Sequence, residues 1–229
     1  ALAAGNTIVF KPATDTPWAG ALLAQCFRDA GLPDGVFNFV TGPGSIVGEA
    51  LITSPRVDGI TFTGSYDVGM HIYRTFAGGG YPRPCVAEMG GKNAAIVSRN
   101  ADLNRAAIGI MRSAFGLQGQ KCSACSRVFV ERPVRDALVQ KLVDLTNKIS
   151  IGDPTRRENW MGPVINRKAY DDYRAYVEEL TRAGTILTGG QQLTKDDLKQ
   201  GYFCAPTLVD AVPPDHRLWK HEMFLPITM

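Results

Sequence analysis

The chain has 229 residues, with 25 Lys or Arg, 22 Asp or Glu and a formal net charge of +3. Because these charges are scattered, the composition favours neither nucleic acid nor a membrane as a partner, and no apolar run is long enough to span a bilayer. The five cysteines are odd in number and widely spaced, which is not typical of a disulfide framework. We therefore expect a reducing compartment, cytoplasmic or, in a eukaryote, the mitochondrial matrix.

Strands and helices alternate through the first 77 residues. Apolar runs rich in β-branched residues predict strands at 7–10, 36–40 and 58–62. Helical spacing of apolar residues predicts a helix that begins at Pro17 and ends at Gly31, and two more near 47–51 and 68–76. This alternation is typical of βαβ units, so we expect an α/β fold with a largely parallel sheet.

Three short polar segments follow these predicted strands. Lys11 and the turns over residues 42–45 and 63–65 come at the carboxyl ends of strands, where open α/β sheets bind ligands. Backbone N–H groups in such turns can hold an anion such as a pyrophosphate. Neither turn has the spacing of a dinucleotide-binding glycine motif, so an ordinary turn explains the sequence equally well.

Glu88 ends an extended segment and stands just before a double glycine. A carboxylate held at the end of a strand is a candidate general base, although a solvated glutamate before a turn gives the same pattern. The hydrophobic pattern changes after Gly91, and we place a domain boundary near Gly90, which divides the chain into residues 1–90 and 91–229.

The second part again mixes strands and helices. We predict a strand over 94–97, a long helix from Asp102, strands or extended segments at 127–130, 185–188 and 202–209, helices over 134–149 and 168–183, and a short helix or turn at 218–224. The first residues read as the inside of a helix and the last four as the start of a strand, so we expect a piece truncated at both ends.

Cys122 lies on a glycine-marked turn between a predicted helix and a predicted strand. A thiol at such a junction can face a cleft, which makes Cys122 a candidate nucleophile. Two alternatives stay open, because a cysteine is often a small buried hydrophobe and because Cys122 and Cys125 have the C-x-x-C spacing of a redox pair. The three histidines lack ligand spacing around these cysteines, so no metal is expected here.

Seven short motifs, in chain order and across the whole length, resemble those of the aldehyde dehydrogenase superfamily. They are Phe10-Lys11-Pro12, Gly42-Pro43-Gly44, Phe62-Thr63-Gly64-Ser65, Glu88-Met89-Gly90-Gly91-Lys92, Gly119-Gln120-Lys121-Cys122, Pro206-Thr207 and Glu222-Met223-Phe224. Residues 83–93 and 119–127 further resemble the 1-pyrroline-5-carboxylate (glutamate-γ-semialdehyde) dehydrogenase branch of this superfamily.

The resemblance implies a fold and a reaction. The fold is α/β, with a Rossmann-like parallel sheet and its helices in residues 1–90, part of an NAD(P)-binding domain, and part of a second α/β catalytic domain in residues 91–229. The reaction is NAD(P)-dependent oxidation of an aldehyde to a carboxylate, in this branch glutamate-γ-semialdehyde to glutamate in proline catabolism. The partners implied are a small-molecule aldehyde and, for the parent protein, further copies of itself in a homo-oligomer.

The resemblance also implies a role for each matching residue. Cys122 is the nucleophile that forms a thiohemiacetal and then a thioester, and Glu88 activates the water that hydrolyses the thioester. Ser123 helps to bind the substrate carboxylate. The cofactor is bound at the adenosine ribose by Lys11, along the adenine and pyrophosphate by Gly44, Gly64 and Ser65, and at the nicotinamide end by Glu222 and Phe224.

Two positions depart from the family pattern. Thr14 stands where many NAD-using members have a glutamate that binds the ribose 2′-hydroxyl, which leaves NAD and NADP both open, although NAD suits the branch better. Leu225 replaces a glycine after Phe224, which puts the geometry of that loop in question.

Other functions remain compatible with the sequence. The enzyme alternative is an aldehyde dehydrogenase of different substrate preference, and the non-enzymatic one is a binding or assembly fragment of the same fold. From the resemblance we expect the segment with the family's side-chain oxyanion donor to lie before Ala1, and much of its carboxylate-anchoring loop and oligomerisation strand to lie beyond Met229. We therefore expect the 229 residues alone to have little or no turnover.

Overall fold

The computed structural model describes residues 1–229, which form two compact units, Ala1–Met89 and Gly90–Met229. No helix is long and apolar enough to cross a membrane. The assignment of the first part to cofactor binding and of the second to catalysis stays a prediction.

The first unit contains two pairs of parallel strands and three helices. The strands are β1 (Ile8–Phe10), β2 (Phe37–Phe39), β3 (Ile60–Thr63) and β4 (Cys85–Glu88), and the helices are α1 (Pro17–Asp29), α2 (Glu49–Thr53) and α3 (Tyr66–Ala77). β1 pairs with β2 and β3 with β4, both in parallel. Each pair is joined through a helix, as the alternating pattern predicts.

Local sequence explains where these helices begin. Pro17 takes the first position of α1, where its missing N–H costs no hydrogen bond. The Ser65 hydroxyl caps α3 by accepting from the Val68 N–H at 3.4 Å. α2 and α3 pack through Ile52, Ile72 and Phe76, which form the core of this unit.

The second unit contains five strands and three longer helices. They are β5 (Asn93–Val97), α4 (Leu103–Phe115), β6 (Cys125–Val130), α5 (Arg132–Asn147), α6 (Arg167–Ala183), β7 (Thr185–Thr188), β8 (Thr207–Asp210) and β9 (Ile227–Thr228). β5 pairs in parallel with β6, and β8 in parallel with β9. β7 and β8 are antiparallel. The predicted parallel sheet concerned residues 1–90, and no direction of pairing was predicted for these two strands.

Two apolar clusters hold the second unit together. One packs α4 against α5 through Phe115 and Leu138, which are 0% and 1% exposed. The other packs α6 against the chain end through Leu180 and Leu225. Burial of each such side chain contributes about 1.5–3 kcal/mol to stability.

The buried Tyr173 hydroxyl donates to the Ala205 carbonyl at 2.7 Å, so this polar group has a hydrogen-bond partner inside the core.

The predicted elements are largely confirmed, with errors at their ends. β6 begins at Cys125, two residues before the predicted strand. The predicted extended segment 202–209 forms a strand only over Thr207–Asp210, preceded by an isolated bridge between Gln192 and Cys204. The predicted helix near 47–51 begins as a π-helical turn over Gly44–Gly48 and becomes α-helical only at Glu49.

Candidate active site

The cysteine turn follows a segment with unusual backbone geometry. After α4, Leu117, Gln118 and Gly119 have φ values of 53°, 57° and 67°. This left-handed region is costly for side chains with a Cβ, and such strain is concentrated at functional sites. A Cβ on Gly119 would lie 2.3 Å from the Leu225 carbonyl oxygen, so only glycine fits there. The turn therefore packs directly against the loop that contains Glu222 and Leu225.

Cys122 and Cys125 occupy different environments within the turn. The Cys122 side chain is exposed, whereas Cys125 is buried at the start of β6. Burial raises the pKa of the Cys125 thiol, partly offset by hydrogen bonding, and its Sγ donates to the Arg127 carbonyl at 3.4 Å. Ser123 is exposed beside Cys122. Of the two thiols, Cys122 is therefore the one available to a reactant.

The segment 91–93 lies against this turn. The Asn93 Nδ2 donates to the Cys122 carbonyl at 2.6 Å and to the Ala124 carbonyl at 3.3 Å. A Cβ on Gly91 would lie 2.6 Å from the Cys122 carbonyl oxygen, so the glycine permits this contact. Asn93 had no predicted role, and its only signal in the sequence was a polar side chain two positions after the double glycine.

Glu222 and Phe224 lie on the loop before β9. Glu222 Oε1 accepts from the Gly91 N–H at 3.0 Å, and a Cβ on Gly90 would be only 1.8 Å from Oε2. Phe224 has a φ of 55° and is 45% exposed, so a strained backbone presents an aromatic ring to solvent. A cavity of about 10 Å³ separates this loop from the cysteine turn and is lined by both.

Lys92 has a buried ammonium group that the sequence analysis did not single out. Its Nζ has no hydrogen-bond partner. Burial and, to a lesser extent, the nearby Arg127 lower the pKa of Lys92 from 10.5 to about 8, although Glu222 opposes both effects. The Arg127 guanidinium is held in place by the carbonyls of Lys92 and Trp219. A cluster of two cations and one carboxylate therefore lies next to the cysteine turn.

In the first unit, Glu88 ends β4 directly opposite Thr63 of β3. The Gly64 N–H donates to the Glu88 carbonyl at 3.0 Å, and Ser65 follows as the cap of α3. The Glu88 side chain is exposed. The structure thus brings Gly64, Ser65 and Glu88 together at the carboxyl edge of the β3–β4 pair.

Lys11 and Gly44 lie near the carboxyl edge of the other strand pair. The Val40 N–H donates to the Phe10 carbonyl at 3.0 Å, which extends the pairing to the residue before Lys11. The Lys11 Nζ donates to the Pro12 carbonyl at 2.6 Å and keeps two further N–H donors. A Cβ on Gly44 would contact nothing, so the space above this glycine is open.

A larger cavity, of about 330 Å³, lies elsewhere in the second unit. Its lining is mainly apolar and comes from α5, β6 and the strands β7 to β9. None of the predicted site residues lines it, so we do not assign the chemistry to this cavity. No group of three or more His, Cys, Asp or Glu residues is arranged to hold a metal ion.

Comparison with known proteins gives a family match along the whole chain. The profile of the aldehyde dehydrogenase family matches residues 1–229. The chain is 42% identical over 227 residues to 1-pyrroline-5-carboxylate dehydrogenase 1 of Halalkalibacterium halodurans, covering 97% of the chain and 43% of that protein. It is 43% identical over 231 residues to 1-pyrroline-5-carboxylate dehydrogenase of Bacillus cytotoxicus, covering 99% and 44%.

Solved structures give the same result for the fold. The 1-pyrroline-5-carboxylate dehydrogenase from Thermus with bound NAD superposes with a TM-score of 0.92 at 36% identity, covering 99% of this chain and 44% of that one. Betaine aldehyde dehydrogenase from Staphylococcus aureus in complex with NAD⁺ superposes with a TM-score of 0.94 at 32% identity, covering 100% and 45%. The chain spans less than half the length of these proteins, and the predicted α/β fold is confirmed.

Proposed function

The chain belongs to the aldehyde dehydrogenase family, and from this premise we propose that its residues take part in the NAD-dependent oxidation of an aldehyde to a carboxylate. The observation that carries the proposal is the exposed Cys122, held on a turn that follows three residues in the left-handed region. Cys125, three positions on, is buried and hydrogen-bonded through its thiol. An exposed thiol on a fixed backbone is what covalent catalysis requires.

Cys122 begins the reaction. Its thiolate attacks the aldehyde carbon and forms a C–S bond, and the carbonyl oxygen becomes the oxyanion of a thiohemiacetal. The backbone N–H of Cys122 donates to this oxyanion, which lowers the barrier because the donor needs no reorganisation. NAD⁺, when bound, would supply the oxidising power for the next step as a hydride acceptor. The product on Cys122 is then a thioester.

Glu88 completes the reaction. Its carboxylate takes a proton from a water molecule, whose oxygen attacks the thioester carbon. The C–S bond breaks, the proton held by Glu88 passes to the departing sulfur of Cys122, and the carboxylic acid leaves. An exposed carboxylate at a strand end is suited to this step because the strand fixes the backbone while the side chain remains accessible to water.

The residues available for NAD fit its chemistry. Glu222 has a carboxylate oriented by the Gly91 N–H and suited to ribose hydroxyls, and Phe224 offers an exposed ring to the nicotinamide. Lys11 offers an ammonium group to the adenosine ribose. The remaining contacts are assigned to the backbone and hydroxyl of Gly44, Gly64 and Ser65. NAD, rather than NADP, is further supported by the NAD-bound structures to which the chain is similar.

We assign glutamate-γ-semialdehyde as the substrate, with Ser123 binding its distal carboxylate. The assignment is supported by 42–43% identity to proteins named 1-pyrroline-5-carboxylate dehydrogenase. Ser123 is exposed beside Cys122, so its hydroxyl is accessible to a substrate held there. In the full-length protein, Ser123→Ala should raise KM for glutamate semialdehyde but not for an aliphatic aldehyde without a carboxylate. Equal effects on both substrates would contradict the assignment.

The function is tested by aldehyde-dependent NADH formation in the full-length protein. Cys122→Ala should abolish turnover. Cys26→Ala is the matched control, because Cys26 is also exposed but lies on α1 in the first unit. The proposal fails if wild type forms no NADH with any aldehyde, or if Cys122→Ala keeps wild-type turnover.

A further inference from the structure

We propose that Asn93 is a positioning residue for Cys122, whose side-chain amide fixes the backbone of the nucleophile turn. The inference rests on the proposed role of Cys122, but its main measurement does not depend on turnover. Asn93 touches neither substrate nor cofactor in this role. It acts through two carbonyl groups of the turn.

The hydrogen bonds of Asn93 have a fixed direction. Its Nδ2 donates to the carbonyls of Cys122 and Ala124, at 2.6 and 3.3 Å. A side-chain amide nitrogen has two N–H donors, and carbonyl oxygens only accept, so both donors are used. The opposite orientation of the amide would place its oxygen against both carbonyls. Only a donor group satisfies this site.

A break in the strand register brings Asn93 to the turn. Asn93 pairs with Cys125 and the next residue, Ala94, pairs with Arg127, so β6 has one extra residue, Ser126. Bulges of this kind redirect side chains, are rare between parallel strands and occur preferentially next to active sites. The Ser126 hydroxyl also donates to the Asn93 carbonyl at 3.4 Å.

The same turn is anchored from other directions. The Ala124 N–H donates to the Lys121 carbonyl at 3.1 Å, and the Cys125 N–H donates to the Ser113 hydroxyl of α4 at 3.1 Å. These bonds hold the two sides of the turn. Asn93 supplies the only side-chain hydrogen bonds to the carbonyls of Cys122 and Ala124 that the structure contains.

The Cys122 carbonyl accepts from Asn93 and lies beside Gly91, where an added Cβ would come within 2.6 Å of its oxygen. A fixed carbonyl fixes the peptide plane that follows Cys122, and with it the range of positions open to the thiol. A displacement of about 1 Å can lower a catalysed rate about 100-fold, because the reacting atoms must be aligned. Loss of the Asn93 amide should therefore affect kcat rather than cofactor binding.

The test compares Asn93→Asp and Asn93→Ala with a matched control, Asn104→Asp. Aspartate keeps the shape of asparagine but cannot donate at neutral pH. Asn104 lies on α4 in the same unit, and its Oδ1 accepts from the Lys141 ammonium. The control therefore introduces the same negative charge in the same unit, but at a site where the side chain accepts from a lysine and the charge is tolerated.

The main measurement is hydrogen exchange of the Ala124 and Cys125 amides by mass spectrometry of peptides spanning residues 119–127. Both Asn93 variants should exchange about tenfold faster there, the factor expected for one hydrogen bond. Peptides from α5 should be unchanged, which shows that the unit remains folded. Asn104→Asp should leave residues 119–127 unchanged. Unaltered exchange at Ala124 and Cys125 in both Asn93 variants overturns the inference, whatever the turnover of the wild type.

The second measurement is steady-state kinetics of the full-length protein. We expect kcat about 100-fold lower in both Asn93 variants, with KM for NAD within about threefold of wild type. Faster exchange with an unchanged kcat shows that the hydrogen bonds of Asn93 only stabilise the turn, and this result overturns the positioning role. If the wild type has no aldehyde-dependent activity, the proposed function fails, and with it the positioning role for catalysis.

Discussion

The backbone N–H of Gly91 donates to Oε1 of Glu222 at 3.0 Å, across 131 positions of sequence. Two residues later, Asn93 donates to the Cys122 carbonyl. A segment of three residues therefore contacts both the turn that presents the thiol and the carboxylate assigned to the cofactor. A Cβ on Gly91 would clash with the backbone carbonyl of Cys122, and a Cβ on Gly90 would displace the Glu222 carboxylate.

We predict that Gly91→Ala destabilises the protein by about 1–3 kcal/mol, the usual cost of overpacking. Its Cβ would lie 2.6 Å from the Cys122 carbonyl oxygen, and a shift of the backbone would also weaken the bond to Glu222. Urea unfolding measures the stability, and NADH fluorescence titration measures cofactor affinity.

The control for this prediction is Gly109→Ala. Gly109 lies within α4, and a Cβ there would contact nothing. Alanine is the better helix former, so this variant should be about 0.5–1 kcal/mol more stable than wild type. Equal effects of the two substitutions would contradict the steric argument.

Lys92→Met should stabilise the protein at pH 7 by roughly 2–3 kcal/mol. The pKa of Lys92 falls from 10.5 to about 8, which means that the protonated ammonium destabilises the folded state. Below pH 8 the lysine is protonated in both the folded and unfolded states and the cost is constant. Between pH 8 and 10.5 the unfolded chain binds the proton more tightly, so wild-type stability rises with pH. The advantage of Lys92→Met should therefore shrink as the pH increases.

Urea unfolding of both proteins at pH 7 and at pH 10 measures this difference. Lys168→Met is the control, because the hydrogen bond to Asp172 raises the pKa of the exposed Lys168. That variant should gain no stability at pH 7. A Lys92→Met advantage that is constant or that grows with pH would show that the buried ammonium is not its cause.

The cysteines should differ widely in their reaction with iodoacetamide at pH 7.5. Cys122 and Cys26 are exposed and should react first. Burial raises the pKa of Cys204 to about 12, so this thiol should react at least about 100-fold more slowly, because only the thiolate is reactive. Mass spectrometry of the alkylated peptides, with Cys26→Ser to isolate Cys122, gives each rate. Labelling of Cys125 as fast as Cys122, or a disulfide between them under mild oxidation, would favour the redox-pair interpretation instead.

Glu88→Gln should separate the two halves of the reaction in the full-length protein. Glutamine keeps the shape of the side chain but cannot act as a base, so hydrolysis of the thioester should slow by about 10²–10⁴-fold. We expect a rapid burst of about one NADH per active site, followed by near-zero steady-state turnover. Glu49→Gln, at the partly exposed glutamate of α2 that pairs with His71, should keep the wild-type rate. Steady turnover by Glu88→Gln would exclude the assigned role.

Element types could be predicted from the sequence better than contacts could. The β-branched run at 7–10 and the amphipathic pattern from 168 onward gave a strand and a helix where the structure has β1 and α6. The antiparallel pairing of β7 with β8 was missed, because the direction of pairing depends on the path of the chain between strands rather than on either strand's own pattern.

The sequence alone determined the family, the α/β fold and the candidate residues, because short motifs and periodic apolar patterns are local properties of the chain. Only the tertiary structure decided that Cys122 is exposed while Cys125 is buried, that Asn93 holds the nucleophile turn, and that the Lys92 ammonium has no partner. Burial, a register shift between strands and contacts across more than a hundred positions arise only when distant segments pack together. None of them leaves a pattern in the residues that take part.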